Sequence, residues 1–326
     1  MLNAAKFTIS PIAKLAIKLV ISAVLVAVIL WKFPIAAVVV QLQNAELKWF
    51  LLAFLLSEII ILSQAFRWHY LLIVPTETKV ISVDSDDLLT SSSEPTKPKF
   101  SSLLRYTVVG YFFNLLAPGG VGGDIYRSVA LGRTHKILSG SIASVFVAKI
   151  FGLVALCLLY FLAYPLLPND FRIPKYANWF MIFASVFLVA FCAFLIYNPF
   201  GDGKFQKLRI YRAYPIRLVS AFIGSIFMQV LVVLMQISIF KAVGISVPFS
   251  LVFVIVPITV LLTSIPISFN GIGVREWTML SLTSFSVNAE NMLASLLLGY
   301  AMIILQAIQG LAVLHFPTRR RVESRE

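Results

Sequence analysis

The chain has 326 residues, of which 60% are hydrophobic and only 13% are charged, and its mean hydropathy is +0.92. A soluble domain carries about 25% charged residues, so the composition excludes an ordinary soluble protein. It predicts an all-α, polytopic integral membrane protein. The net charge of +13 does not indicate nucleic-acid binding, because the Lys and Arg residues lie beside apolar runs, where they act as topology determinants.

Six apolar runs are long enough to cross a bilayer, which takes about 20 helical residues. They are 15–33, 49–74, 141–163, 178–197, 218–243 and 292–315. The first run leads into Trp31-Lys-Phe-Pro34 rather than into a small-residue cleavage site, so we expect a retained helix and not a signal peptide. Two further segments, 102–136 and 248–286, each hold two shorter apolar helices around a break. They predict two broken or re-entrant hairpins and a single transmembrane domain over 1–326.

The charge pattern predicts the topology. Residues 75–99 are rich in Ser, Thr, Pro and acidic side chains and form a predicted flexible cytoplasmic loop. The basic loop 204–217 and the basic tail 316–326 are predicted to be cytoplasmic as well, which places both termini there. The two broken segments then enter from opposite faces, as in an inverted repeat. A topology in which 248–264 and 273–286 both cross the membrane fits the charges equally well.

The first broken segment reads Asn114-Leu-Leu-Ala-Pro-Gly-Gly-Val-Gly122-Gly123-Asp124-Ile-Tyr-Arg127. A Pro/Gly break at membrane depth persists only where it is buried in protein or lines a polar cavity. The restarting helix offers free N–H groups with Arg127 one turn further on, which favours binding of a phosphate or carboxylate. Asp124 is predicted to cap this helix, and Asn114 to satisfy the interrupted backbone.

The second broken segment repeats the arrangement. It contains Asn270, Gly271 and Gly273, followed by Arg275 and Glu276 at the start of the returning helix. Asn270 is expected to satisfy the backbone at this break. The carboxylate is expected to release or orient the neighbouring arginine. Both breaks therefore form the candidate substrate-binding site.

Two interpretations of these charges are open. In the first, the tips meet and Arg127 and Arg275 bind opposite sides of a lipid phosphate. In the second, Asp124 pairs with Arg275. Glu276 then pairs with Arg127, and the four residues only brace the hairpins, because charged groups inside a membrane domain usually pair.

Other polar residues give weaker signals. Glu58 and Lys149 lie in the second and third complete apolar runs and are candidates for a buried pair or a proton relay. The glycines at 119–123 follow no strand and lack the Lys-Ser/Thr ending of a nucleotide loop. The sequence also contains no metal-binding motif of the His-Glu-x-x-His or paired-Cys type. We therefore expect no cofactor, no metal and no catalytic residue.

The stretches Gly110–Arg127 and Ile265–Glu276 resemble the two signature stretches of the flippase-like transmembrane domain of lysylphosphatidylglycerol synthases, over roughly 15–315. The resemblance implies a prokaryotic inner-membrane protein that moves a lipid, or a lipid-linked headgroup, between leaflets. The chain stops shortly after its last apolar run, so we expect a stand-alone member without the synthase domain. Many relatives carry an acidic residue and an arginine where this chain has Ala148-Lys149.

The resemblance implies that the partners are membrane lipids, with a separate lipid-modifying enzyme or a second copy of the chain as further candidates. Two alternatives stay open. One is a membrane-embedded transferase acting on a lipid-linked sugar. The other is a non-transporting scaffold for lipid synthesis.

Overall fold

The computed structural model describes residues 35–72, 98–116, 121–171, 173–197, 211, 213–265, 268, 271–284 and 286–315. In these ranges the chain forms ten α-helices and one 3-10 turn, Tyr164–Leu166. The helices are α1 (Ile35–Gln43), α2 (Leu47–Leu71), α3 (Phe100–Leu116), α4 (Gly122–Thr134), α5 (Leu138–Ala163), α6 (Lys175–Tyr197), α7 (Pro215–Ala242), α8 (Phe249–Ser264), α9 (Val274–Thr283) and α10 (Ala289–His315).

Five of these helices, α2, α5, α6, α7 and α10, are long and apolar enough to span a membrane. Each begins two or three residues before the run predicted for it. The all-α, multi-pass fold is therefore confirmed. The predicted run 15–33, nearly all of the predicted loop 75–99 and the tail 316–326 lie outside the described residues. Helix α1, which packs on α10, was not predicted.

Helices α2 and α7 form an antiparallel pair that fixes the two ends of the bundle. At one end the Glu46 N–H donates to the Ala242 carbonyl at 2.8 Å. At the other end the Tyr211 hydroxyl donates to the Leu71 carbonyl at 2.9 Å. We call the first the α7-exit end and the second the α2-exit end, after the helix that finishes there.

Helices α3 and α4 are a re-entrant hairpin at the α2-exit end. The ring of Phe100, the first residue of α3, lies 6.0 Å from that of Phe66 in the last part of α2. The returning helix finishes beside the first half of α3, where the Tyr106 and Thr134 hydroxyls are 3.2 Å apart. The first broken segment therefore enters and leaves at the same end of the bundle, as predicted.

Helices α8 and α9 are a second re-entrant hairpin, at the α7-exit end. The Asn291 side-chain amide, in the first turn of α10, donates to the Val243 carbonyl at 3.3 Å, directly after α7. Only short connections join α7 to α8 and α9 to α10, so the segment between them must leave and return at this end. The returning helix α9 has only 10 residues, whereas a crossing takes about 20, so the alternative topology with two full crossings is wrong.

The first tip reaches the middle of α10. Helix α3 starts at the α2-exit end and α10 at the opposite end, so the two are antiparallel. A Cβ on Gly310 would lie 2.7 Å from the Val108 carbonyl oxygen, so these two residues are level. Leu116, the last residue of α3, follows Val108 by eight residues, and Met302 precedes Gly310 by eight. Because the two helices are antiparallel, the end of α3 lies level with Met302.

The second tip reaches the same region. Glu276, in the first turn of α9, accepts a hydrogen bond from the Tyr300 hydroxyl. Tyr300 lies within one helical turn of Met302. The two hairpins thus enter from opposite ends, and their tips lie at a common level along α10. This is the arrangement of an inverted pair of hairpins.

Helix α8 forms the packed centre of the bundle. Its residues Leu251, Val254, Ile255 and Ile258 are at most 1% exposed, and it packs on α5, α7 and α9. A helix that is hydrophobic on all faces is buried on all faces. This short helix therefore lies inside protein rather than against lipid.

Candidate functional site

The first break is held together by a close approach of two backbones. A Cβ on Gly123 would lie only 2.3 Å from the Gly110 carbonyl oxygen, so only glycine fits there. The Gly123 N–H donates to the Asn114 side-chain oxygen at 2.7 Å. Asn114 thus satisfies a backbone donor at the start of the returning helix, as predicted.

Asp124 lies in the first turn of α4 but does not cap it. The capping position is Val121, which makes no side-chain cap hydrogen bond, and the helix begins at Gly122. The prediction that Asp124 is the N-cap is therefore wrong by three positions. The carboxylate remains near the positive end of the helix dipole, and its oxygens are free to bind cations.

Two cations share the Asp124 carboxylate. Arg127 Nη2 lies 2.8 Å from one oxygen, and Lys149 Nζ lies 3.0 Å from the other. Lys149 thus pairs with Asp124, and not with Glu58 as the sequence suggested. The ion pairs join α4 to α5, which pack against each other.

Arg127 is buried, with 4% of its surface exposed. Its guanidinium carbon lies 5.5 Å from the centre of the Trp68 ring, a favourable cation–π distance. The Trp68 N–H in turn donates to the Ser144 hydroxyl at 2.9 Å, which fixes the ring. The Arg127 Nε is buried and has no hydrogen-bond partner among the described residues.

A second buried arginine, Arg67, belongs to the same cluster but was not predicted as a site residue. It is 5% exposed, and its Nη1 donates to the Ser225 hydroxyl at 2.9 Å. Electrostatic interactions couple it to Arg127 and Asp124. Its Nε, like that of Arg127, is buried without a partner in the described part of the chain.

Glu58 lies at the edge of this cluster. It interacts electrostatically with Tyr111, whose hydroxyl donates to the Gln64 side chain at 3.1 Å. One Glu58 oxygen is buried and has no hydrogen-bond partner within the described ranges. We define the basic cluster as Arg67, Arg127, Lys149 and Asp124. It carries three positive groups and one negative group, so its net charge is positive. The net charge stays positive when an ionised Glu58 is added.

The second break is closed by glycine geometry and by Glu276. Gly271 and Gly273 have φ values of +77° and +86°, which strain any residue with a Cβ. Glu276 is 7% exposed, and it accepts the Gly273 N–H at 2.6 Å with one oxygen. Its other oxygen accepts the Tyr300 hydroxyl. Glu276 thus fastens the start of α9 to the middle of α10.

Arg275 is half-buried, and its guanidinium carbon lies 5.5 Å from the centre of the Tyr300 ring. The described residues include no carboxylate that pairs with it. The predicted cross-brace between the hairpins is therefore not formed, because Asp124 and Glu276 bind other partners. The predicted role of Asn270 falls outside the described residues.

The two tip arginines lie at different depths. Gly123 and Gly310 both pack on the middle of α3, so they are roughly level. Arg275 lies over Tyr300, ten residues before Gly310, or about 15 Å along a helix. Arg127 follows Gly123 by one turn in the direction away from Tyr300. One phosphate therefore does not reach both arginines in this arrangement.

Comparison with known families identifies a match over most of the chain. A family model described as "Lysylphosphatidylglycerol synthase TM region" matches residues 15–310. The match includes both hairpins and the basic cluster. A search of curated proteins gave no match.

Proposed function

We propose a transport function from the premise that this chain belongs to the lysylphosphatidylglycerol synthase TM-region family. Membership identifies a multi-pass membrane protein involved in lipid handling. The finer proposal is that the chain moves an anionic phospholipid, or a lipid-linked headgroup, between the leaflets. It does so without forming or breaking a covalent bond.

The observation that carries the proposal is the excess positive charge of the basic cluster. Charged groups inside a membrane domain are costly, and they are usually paired. Here Arg67 and Arg127 are both about 95% buried, yet the carboxylate of Asp124 pairs only with Arg127 and Lys149, and Arg67 has no ion pair among the described residues. An anionic headgroup would supply the missing negative charge. Arginine suits a phosphate because its planar fork donates two parallel hydrogen bonds.

The hairpins supply a path for such a headgroup. Their tips lie at one level in the middle of the bundle, and they open toward opposite ends. We propose that the basic cluster holds the phosphate at one stage and Arg275 at another, about 20 Å away along the bundle. Rocking of one hairpin against the other would connect the two positions in turn. The acyl chains stay in the bilayer throughout.

The distribution of charge supports an orientation with the α2-exit end in the cytoplasm. The positive residues described at that end are Lys99, Arg105, Arg133, Lys136 and Arg217. The opposite end carries three lysines and three carboxylates, namely Lys48, Lys175, Lys241, Glu46, Asp170 and Glu290. Since Lys and Arg are retained on the cytoplasmic side, we propose a prokaryotic inner-membrane protein with both termini in the cytoplasm.

Leaflet exchange in liposomes tests the proposal. The purified protein is reconstituted with a headgroup-labelled anionic phospholipid, and an impermeant quencher reports the fraction of label that remains protected in the inner leaflet. We expect wild type to remove this protection. Arg127→Gln should lose most of the rate, whereas Arg127→Lys should keep part of it because the charge remains.

Arg133→Gln is the matched control, since Arg133 lies on the same helix but is exposed. It should behave as wild type. Equal rates for Arg127→Gln and wild type would contradict the proposal. A new lipid species in the product mixture would instead indicate a transferase.

A further inference from the structure

A groove with a volume of ≈ 650 Å³ lies between α2 and α7. Its walls include Phe66, Ile223 and Phe227, which are 54%, 60% and 53% exposed. Because both helices are long and apolar enough to span the membrane, these exposed side chains face the acyl chains of the bilayer. The groove therefore opens sideways into lipid, and its volume falls within the range of small-molecule sites.

The groove contains one charged side chain, Arg67. This residue is 5% exposed, so it lies at the floor of the groove rather than on the rim. Ser225 takes a hydrogen bond from one terminal nitrogen at 2.9 Å. The Nε is buried and finds no partner in the described ranges. A buried cation with one unpartnered nitrogen thus lies beneath the apolar walls of the groove.

Gly224 keeps the space above Arg67 open. The nearest atoms to a Cβ at this position would be Arg67 Cβ and Cγ, at 3.9 and 4.0 Å. A methyl group would therefore fit, whereas a large side chain would occupy the groove itself. The position is a natural point at which to close the groove without touching the charge.

We propose that this groove is a binding site for an anionic phospholipid, which lies with its phosphate at Arg67 and one acyl chain along α2 and α7. The phosphate complements the buried guanidinium. The chain would run past Phe227 toward Leu62, which also lines the groove. Arg67 is four residues from the end of α2, about 6 Å along the helix, a depth suited to a headgroup in the leaflet on the α2-exit side.

The ligand must be an amphiphile because the two parts of the groove need different partners. A free phosphate would satisfy Arg67 but leave the apolar walls unfilled. An uncharged chain would fill the walls and leave the guanidinium without an anion, which is unfavourable in an apolar environment. A phospholipid with a net negative charge satisfies both, and the lateral opening admits its chain directly from the bilayer.

The site adds a route to the proposed function, since Arg67 is electrostatically coupled to Arg127 and Asp124. A lipid held in the groove would lie beside the basic cluster before its headgroup moves further. Binding and translocation are nevertheless separate properties. Photo-crosslinking of a lipid to the groove without leaflet exchange would contradict the transport proposal alone. Leaflet exchange without crosslinking at the groove would contradict the groove proposal alone.

Photo-crosslinking tests the groove directly. The full-length protein in lipid nanodiscs is exposed to a phosphatidylglycerol analogue with a photoreactive group in one acyl chain, and labelled peptides are mapped by mass spectrometry. We expect label on the facing parts of α2 and α7, at Phe66, Ile223 or Phe227. A phosphatidylcholine analogue should label these positions several-fold less.

Two substitutions at one position provide the matched comparison. Gly224→Phe should lower the labelling about tenfold, a loss equivalent to one decade of affinity, whereas Gly224→Ala should stay within about twofold of wild type. Arg67→Gln should reduce anionic labelling to the phosphatidylcholine level. Soluble glycerol phosphate should not displace the lipid.

Several results would overturn the proposal. Equal labelling of wild type by the two lipids would show that Arg67 does not select an anionic headgroup. This comparison uses the wild-type protein only, so it does not depend on whether a variant folds. Unchanged labelling in a correctly folded Gly224→Phe would place the lipid elsewhere. Displacement by glycerol phosphate would show that the site binds a phosphate rather than an amphiphile.

Discussion

The Gly123→Ala substitution tests whether the first break is built on backbone contact between α3 and α4. The added Cβ would lie 2.3 Å from the Gly110 carbonyl oxygen and 2.9 Å from the Asn114 side-chain carbon. A carbon and a carbonyl oxygen approach to about 3.3 Å. The start of α4 must therefore move away from α3 by about 1 Å.

That displacement has a calculable cost. The hydrogen bond from Gly123 to Asn114, now 2.7 Å, would lengthen beyond the roughly 3.5 Å at which such a bond is lost. A lost bond to a buried donor costs about 1 to 3 kcal/mol, and overpacking costs a similar amount. Alanine has a higher helix propensity than glycine, which offsets up to about 1 kcal/mol of this cost. Since neither clashing group is a flexible chain end, we expect a net loss of about 3 to 5 kcal/mol.

The assay is reversible unfolding of the purified protein in mixed micelles with increasing SDS, followed by circular dichroism. Two matched glycines calibrate it. Gly110→Ala should be milder, because its Cβ would lie 3.3 Å from the nearest atom. Gly299→Ala should be neutral or stabilising, because nothing lies within 4 Å of its Cβ. Equal midpoints for the Gly123 and Gly299 variants would refute the contact.

Four further variants test the ion pairs and hydrogen bonds. Asp124→Asn should cost about 3 to 5 kcal/mol in the SDS titration, because it leaves Arg127 and Lys149 without their carboxylate. Lys149→Gln should cost less than about 1 kcal/mol, because Lys149 is 39% exposed. A larger loss for Lys149→Gln than for Asp124→Asn would contradict the role of Asp124 as the shared carboxylate. Glu276→Gln should cost about 1.5 to 3 kcal/mol through its charged hydrogen bonds. Tyr300→Phe should be non-additive with Glu276→Gln, with a coupling of about 0.5 to 3 kcal/mol, and strict additivity would show that the two side chains do not interact.

The sequence predicts the helices and the breaks because both depend on local chemistry. Long apolar runs specify spanning helices, and Pro/Gly clusters inside such runs mark the places where a helix stops. The contact between Asn114 and Gly123 was also predictable, because a break exposes backbone donors and a nearby amide can accept them. The opposite directions of the two hairpins followed from the loop charges.

The partners of the charged residues were not predictable, because they depend on how separate helices pack. Lys149 reaches Asp124 only because α4 returns along α5. Helix α4 begins at Gly122, and this early start removes Asp124 from the cap position. Arg67 lies near the end of an apolar run, where arginine often extends to the interface, and no local signal shows that it is buried.

The proposed function requires that Arg127 and Arg275, one at each hairpin, carry an anionic headgroup between leaflets. Its most direct test is the initial rate of anionic-lipid exchange in liposomes that contain wild type, Arg127→Gln, Arg275→Gln or the double variant. We predict that wild type exchanges the anionic lipid faster than a zwitterionic one and that each single variant loses most of this rate. Exchange by the double variant at the wild-type rate would contradict the account.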